Sequence, residues 1–363
     1  MKKMLIALCV LALASVSSVF AGGQKDSGSS ASSGSSGAGK IEVGIVMKSY
    51  QSPYFKALSD SVENECKKLG WAVTVLGSDD DVTKEAANID SLIQKKVKLM
   101  FVDCIDPTSV VPAENRASDA GIPVINIDSG VGPGCRDVTT VYSNNVENGR
   151  AVGKAYIKIV GNDKPLVSIL LSGVKGNVAG LERRSGLIAG IIGARLGLSD
   201  KDADAAAADI EKQLVSTGKA ENANAKFRIA GQGWGDWSRT GGQSAGEDLI
   251  TANKDTLNLM MAENDEMNLG ARVALVNAGL KDVDIIAAAD GSKAAYDLIK
   301  TGEKPRYIAT GENSPVRVGQ KAVEVAKQIL VDGKAWNSFP KITLTDAYGV
   351  TADMVDAHYN YGF

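Results

Sequence analysis

From Ile41 onward the chain alternates between short apolar runs and amphipathic stretches of helical period. Strands are expected at Ile41–Met47, Ala72–Leu76, Leu99–Val102, Pro123–Ile127 and Thr140–Tyr142, then at Leu166–Leu171, Phe227–Ala230, Leu257–Met261, Asp284–Ala289 and Tyr307–Ala309. Between them the 3.6-residue period marks helices over Pro53–Leu69, Val82–Gln94, Pro107–Ala120, Val146–Val160, Ala179–Leu196, Thr240–Thr251, Glu266–Ala278, Lys293–Lys300 and Val316–Val331. Strands that alternate with helices of this length belong to parallel sheets covered on both faces. The units are too many for one ordinary open sheet. The expected fold is α/β, with two Rossmann-like, doubly wound parallel-sheet lobes.

Composition narrows the functions open to such a chain. Of 363 residues 44% are hydrophobic, enough for a large core. The sequence pI of about 5.5 argues against nucleic-acid binding through bulk positive charge. The single histidine, His358, excludes His-rich zinc sites and disfavours Ser-His-Asp or Cys-His catalysis. Neither GxGxxG after the first strand nor GxxxxGK[ST] occurs, so no phosphate cradle is marked. No cofactor or metal is expected.

The first residues read as an address. Met1-Lys2-Lys3 precedes an apolar run over 4–20 ending in Val19-Phe20-Ala21, which suits a signal peptide, 1–21, cleaved after Ala21. Residues 22–40 are a Gly/Ser-rich tether with nothing to bury. Cleavage removes two lysines and no acid, moving the net charge from −3 to −5. Cys66, Cys104 and Cys135 remain, so at most one internal disulfide can form. Export permits a Cys104–Cys135 bridge, with Cys66 as a buried thiol.

Open α/β sheets bind ligands beyond the carboxyl ends of their strands. Here those ends carry Lys48 to Phe55, Asp103, Asp128, Gly173–Asn177 with Arg183 and Arg184, Trp234 to Trp237, Glu263–Asp265, Asp290, and Glu312–Asn313. Carboxylates and amides exchange several hydrogen bonds with hydroxyls, and aromatic faces pack on the C–H face of a sugar ring. A small polyhydroxylated solute needs that mixture. Plainer roles exist for each. Asp103, Asp128 and Asn264-Asp265 suit helix N-caps, the tryptophans suit core, one of the two arginines suits a solvated helix face, and Lys48 reads as a surface residue.

The stretches IVMKSYQSPYF (45–55), VINIDSG (124–130), VYSNNVENGRAVG (141–153), MAENDEMNLGA (261–271), AAADGS (287–292) and VTADMVD (350–356) resemble the periplasmic sugar-binding proteins of the ribose/galactose-binding type, the solute receptors of ABC importers. The resemblance runs from Ile41 to about Met354. It implies two lobes joined by a three-strand hinge that close on one monosaccharide of the glucose, galactose, ribose or xylose class. It places crossings near Ser143–Asn145, Thr310–Asn313 and Pro340–Thr343, lobe one at 41–143 plus 313–340, and lobe two at 144–312 plus 341–363. Carried over, Tyr54 and Phe55 stack on the sugar from lobe one and Trp237 from lobe two. Ser52, Asp103 and Asp128 bond hydroxyls on one side, and Arg183, Asn264, Asp290 and Asn313 on the other. Arg183 is preferred to Arg184 on its ungapped spacing from Gly176. Ser52, Asp103 and Ala289 depart from the family pattern within the pocket, so the resemblance does not name the sugar. Its further implications are a monomer, in the periplasm or at the cell surface, that serves an ABC permease or a chemoreceptor.

Two alternatives follow the same residues. One is a non-sugar solute, such as a nucleoside, polyol or furanosyl signal, on the same fold. The other is an exported glycosidase with Asp128 and Asp290 as a carboxylate pair, although nothing in the sequence marks a proton donor with a raised pKa. Asp200, Asp202, Asp204 and Glu211 imitate a calcium loop. Ala205 stands where that loop needs glycine, and the Ala-rich run suits a helical surface insertion instead.

Overall fold

A computed structural model describes residues 40–363; the expected signal peptide and the tether up to Gly39 lie outside the described residues. The first half runs β1 (Glu42–Met47), α1 (Pro53–Lys68), β2 (Ala72–Gly77), α2 (Val82–Lys95), β3 (Leu99–Asp103), α3 (Val111–Asp119), β4 (Val124–Ile127) and β5 (Thr139–Tyr142). The second runs α4 (Asn145–Val160), β6 (Leu166–Ser172), α5 (Val178–Leu196), α6 (Asp200–Thr217), β7 (Ala220–Asn222), β8 (Phe227–Trp234), α7 (Arg239–Asn253), β9 (Leu259–Ala262), α8 (Asp265–Asn277), β10 (Asp284–Asp290), α9 (Lys293–Thr301) and β11 (Tyr307–Glu312). The chain then adds α10 (Pro315–Leu330), β12 (Ile342–Leu344), β13 (Gly349–Val350) and α11 (Val355–His358).

Two sheets result. The first has the order β12-β5-β4-β3-β1-β2 and is parallel throughout. The second has the order β13-β11-β10-β9-β6-β8-β7, with antiparallel pairs only at its two edges. Val43–Met47 and Leu99–Asp103 are buried along their whole length, as strands covered on both faces must be. This is the two-lobe α/β architecture.

The chain passes between sheets three times. Asn144 caps α4 just after β5 leaves the first sheet. Asn313-Ser314 links β11 of the second sheet to α10, which packs against Val62, Ile125 and Val141 of the first. The third passage lies at Thr345–Tyr348, later than the expected Pro340–Thr343. Ile342–Leu344 pair with Thr140–Tyr142 and therefore belong to the first sheet, not to lobe two. An exposed three-residue edge strand leaves no apolar run in the sequence to reveal it.

Other local differences have equally direct causes. The Asp106 carboxylate accepts from the Thr108 and Ser109 N–H groups at 3.0 and 2.7 Å, forming a turn that delays α3 to Val111. The expected surface insertion is the helix α6, and one face of it is core. Ala203, Ala207, Ile210 and Leu214 are buried in the cluster that holds Ile188, Ile191 and Ile192. Its acids face cations: Asp200 meets Lys154 and Asp204 meets Arg150, each at 2.8 Å. The three cysteines among the described residues are free; the Cys104 thiol donates to the Gly130 carbonyl and that of Cys135 to Glu114, so the possible bridge does not form. No helix among the described residues is long and apolar enough to cross a membrane.

Helices α4 and α5 cross in backbone contact. A Cβ on Gly186 would lie 2.0 Å from the Val146 carbonyl oxygen, and one on Gly153 would lie 2.5 Å from that of Leu187. This crossing brings the start of α5 beside the start of α4. Gly186→Ala forces two helix backbones apart and is expected to destabilise the protein by about 1–3 kcal/mol, read as a lower urea midpoint at unchanged m. An unchanged midpoint would show that the crossing yields freely.

Candidate ligand-binding site

The first sheet contributes a charged cluster at its carboxyl ends. Lys48 follows β1, Asp103 ends β3, and Asp128 and Ser129 follow β4. The Lys48 ammonium donates to Ser129 Oγ at 2.8 Å and lies 3.1 and 3.3 Å from the Asp103 and Asp128 carboxylates. It also sits 4.3 Å from the centre of the Phe55 ring. The surface position expected for Lys48 is thus not what it occupies: its partners are distant in sequence and drawn together only by strand order. Ser129 Oγ donates to Asp103 Oδ1 at 3.0 Å, while the buried Oδ2 has no partner among the described residues.

Helix α1 supplies the rings. Ser52 Oγ accepts from the Tyr54 N–H at 3.3 Å and Pro53 fixes the first helical residue, so α1 starts with Tyr54 and Phe55 over the strand ends. Their rings meet edge to face at 5.7 Å. The Tyr54 hydroxyl donates to Asn313 Oδ1 at 3.3 Å, and Asn313 Nδ2 donates to Asp290 Oδ1 at 3.4 Å. One amide on the second passage between sheets therefore links a ring of the first lobe to an acid of the second.

From the second sheet Asp290 ends β10, and Arg183 comes from the first turns of α5. Arg183 Nη1 lies 3.5 Å from Asp290 Oδ1, its Nε donates to Asn145 Oδ1 at 3.0 Å, and its guanidinium lies 5.4 Å from the centre of the Trp237 ring. The indole of Trp237 covers the backbone of Gly173, where a Cβ would come within 2.1 Å of the ring.

Burial sets the protonation states. Asp103 and Asp290 are both raised to about 7 by loss of water; Lys48 pulls the first back down and Arg183 the second. Burial works against the Lys48 charge, yet Asp103 and Asp128 outweigh it and hold the ammonium above its usual range. The Tyr54 phenol is pushed well above 10 by burial and then by Asp128, with Asp290 adding and Arg183 opposing. Charges from both sheets thus act on one hydroxyl. The raised carboxyls Asp103 and Asp290 have no signature in the sequence, because burial is a tertiary property.

The remaining residues divide. Ser52 is engaged as the cap of α1. Asn264 caps α8, its Oδ1 accepting from Met267 N–H at 3.1 Å while its Nδ2 donates to the Trp237 carbonyl at 3.1 Å, so it holds Trp237 in place. Arg184 turns away from Asp290 and bonds Glu211 and Glu263. Lys48, Tyr54, Phe55, Asp103, Asp128, Arg183, Trp237, Asp290 and Asn313 form one connected set of contacts. A separate concavity of about 240 Å³ between α10 and Leu344–Asp346 is lined by Arg317, Gln320, Lys321 and Glu324 and lacks an aromatic ring.

The chain is similar in sequence and fold to known binding proteins. The ribose import binding protein of Salmonella typhimurium is 29% identical over 302 residues, covering 83% of this chain and 88% of that protein. The D-apiose import binding protein of Actinobacillus succinogenes is 25% identical, covering 84% and 92%. A solved ABC transporter solute-binding protein from Mycobacterium smegmatis, with bound glycerol, superposes with a TM-score of 0.68 at 26% identity, over 88% of this chain and 96% of that one. The sequence profile of the periplasmic binding protein domain matches residues 43–335, and the chain belongs to that family.

Proposed function

We propose that this protein is an exported receptor that captures one monosaccharide between its lobes and hands it to an ABC permease, or presents it to a chemoreceptor. The convergence of Asp128 from one sheet, and Asp290 and Arg183 from the other, around the Tyr54 hydroxyl carries this reading, with Asp103 joined to Asp128 through Lys48. Three carboxylates and an amide accept from hydroxyls, Arg183 and Lys48 donate, and Phe55 and Trp237 offer ring faces. Each hydroxyl that leaves water in such a place meets a partner. The ribose and apiose named for the relatives point to a pentose or a sugar of similar size. The apolar run and tether before Lys40 support secretion to the periplasm or cell surface.

The raised carboxyls Asp103 and Asp290 favour one second reading, a glycosidase, since such an enzyme needs a protonated acid at neutral pH. The family's members are binding proteins, and a clamp needs no bond cleavage.

Calorimetry with D-ribose, D-apiose, D-galactose, D-glucose, D-xylose and myo-inositol is expected to give at least one Kd in the micromolar range or tighter. Asp290→Ala and Asp128→Ala each weaken that binding about 10- to 100-fold, the loss of a charge-assisted hydrogen bond. Silence toward the whole panel would sink the proposal, and steady release of p-nitrophenol from aryl glycosides would replace it with the enzyme.

Acid has two opposed effects. Asp103 and Asp290 keep protons in the folded state up to about pH 7, whereas unfolded carboxyls release them near about 4. Between those values the folded state binds more protons, so the ligand-free protein gains stability as pH falls from 8 to 5 and loses it on the return. Sugar affinity falls over the same acid interval, because a protonated carboxyl accepts more weakly. Thermal melts at stepped pH test the first part. The double variant Asp103→Asn, Asp290→Asn lowers the slope without abolishing it, because burial also raises Glu114 to about 7, and a melting temperature that instead climbs from pH 5 to 8 in the wild type contradicts the assignment.

A further inference from the structure

After β13 the chain takes a course that alternating strands and helices do not require. Helix α11 docks on α9 through the Lys300–Asp356 ion pair at 2.5 Å, and the rings of Tyr359 and Tyr296 lie 6.3 Å apart. His358 Nδ1 reaches Glu312 Oε2 at 2.5 Å, at the very end of β11, and Glu312 also pairs with Arg317 of α10. The Arg317 guanidinium stacks 3.6 Å from the centre of the Tyr361 ring, and the Ser314 hydroxyl donates to the Tyr361 carbonyl at 2.6 Å. Every anchor so far lies on α9, at the end of β11, or on the second passage between the sheets and the helix that follows it.

The next two residues reach the ligand site from behind. A Cβ on Gly362 would lie 2.7 Å from the Gly291 carbonyl oxygen, so only glycine lets the segment press on the turn after Asp290. The Lys293 N–H donates to the Phe363 carbonyl at 3.3 Å. The Phe363 ring then meets the Tyr54 ring edge to face, at 5.4 Å and 88°, within the core cluster of the first lobe. Val355–Phe363 thus touches the second-lobe turn that carries Asp290 and the first-lobe ring that bonds Asn313. None of it falls within the residues matched by the family profile, which ends at 335.

We propose that Val355–Phe363 is a strap across the hinge that locks the Tyr54 ring in its ligand-facing orientation, with Phe363 as the positioning residue. Three of the contacts on that ring are the hydroxyl on Asn313, the edge of Phe55 and the edge of Phe363. Removing the third leaves an unfilled space beside Tyr54 and frees the ring to tilt, so the sugar must order it again on binding. The inference rests on the reading of Tyr54 as a sugar contact.

The test uses the full chain. Phe363→Ala is expected to weaken binding of the tightest sugar in the panel about tenfold, Phe363→Leu by less, and Phe363→Tyr to restore it, as an edge-to-face aromatic pair would. In ligand-free protein labelled with fluorotyrosine, the ¹⁹F resonance of Tyr54, assigned through Tyr54→Phe, shifts and broadens in Phe363→Ala and returns in Phe363→Tyr. Should the Ala variant fail to fold by circular dichroism, the Leu variant supplies the same two readings. Wild-type affinity in the Ala and Leu variants overturns the strap. So does an unchanged Tyr54 resonance, even with weaker binding, because a general structural defect would produce that pair of results. If the wild type binds no sugar at all, the receptor reading fails, and the ¹⁹F measurement still decides whether Phe363 holds Tyr54.

Discussion

A parallel strand buried on both faces has only its ends to offer a ligand. Both sheets of this protein obey that constraint, and the arrangement of the site follows from it. Helices cover Val43–Met47 and Leu99–Asp103 above and below, so the polar residue that follows each apolar run is the first one free to meet solvent or solute. Parallel pairing sends all such ends to the same side. Lys48, Asp103 and Asp128 become neighbours because β1, β3 and β4 are adjacent in the first sheet, although the chain separates them widely.

Burying charge at those ends demands compensation, and the site meets the demand incompletely. One ammonium serves two carboxylates in the first lobe, and one guanidinium serves Asp290 in the second. Asp103 keeps a buried oxygen with no partner among the described residues. Groups left in that condition are costly in a finished core and useful in a binding cleft, where a ligand hydroxyl can complete them. Arg184 illustrates the finished case next door, enclosed by Glu211 and Glu263 and holding α5 to α6 and to the end of β9.

The hinge concentrates the remaining specificity of the fold. Asn313 bonds Tyr54 and Asp290, while the preceding Glu312 gathers Arg317, Tyr296 and His358. Two adjacent residues on one passage thus connect the ligand site on one side with the segment Val355–Phe363 on the other. Side chains as well as backbone therefore tie the first lobe to the second at this passage.

The sequence alone determined the alternation of strand and helix, the pairing into two doubly wound lobes, and the chemistry of the strand ends. Each follows from local rules: an apolar run for a strand covered twice, a helical period between runs, and a polar residue where burial stops. Only the tertiary structure decided that Lys48 bridges two acids instead of lying on the surface, that Asn264 is spent on a cap and on Trp237, that α6 belongs to the core, and that Ile342–Leu344 joins the first sheet. In each of these the deciding partner is remote in the chain or the segment too short and exposed to leave a pattern. Residue type announces what a side chain can bond, but which neighbours and how much water it finds depends on how the strands are ordered and the helices packed.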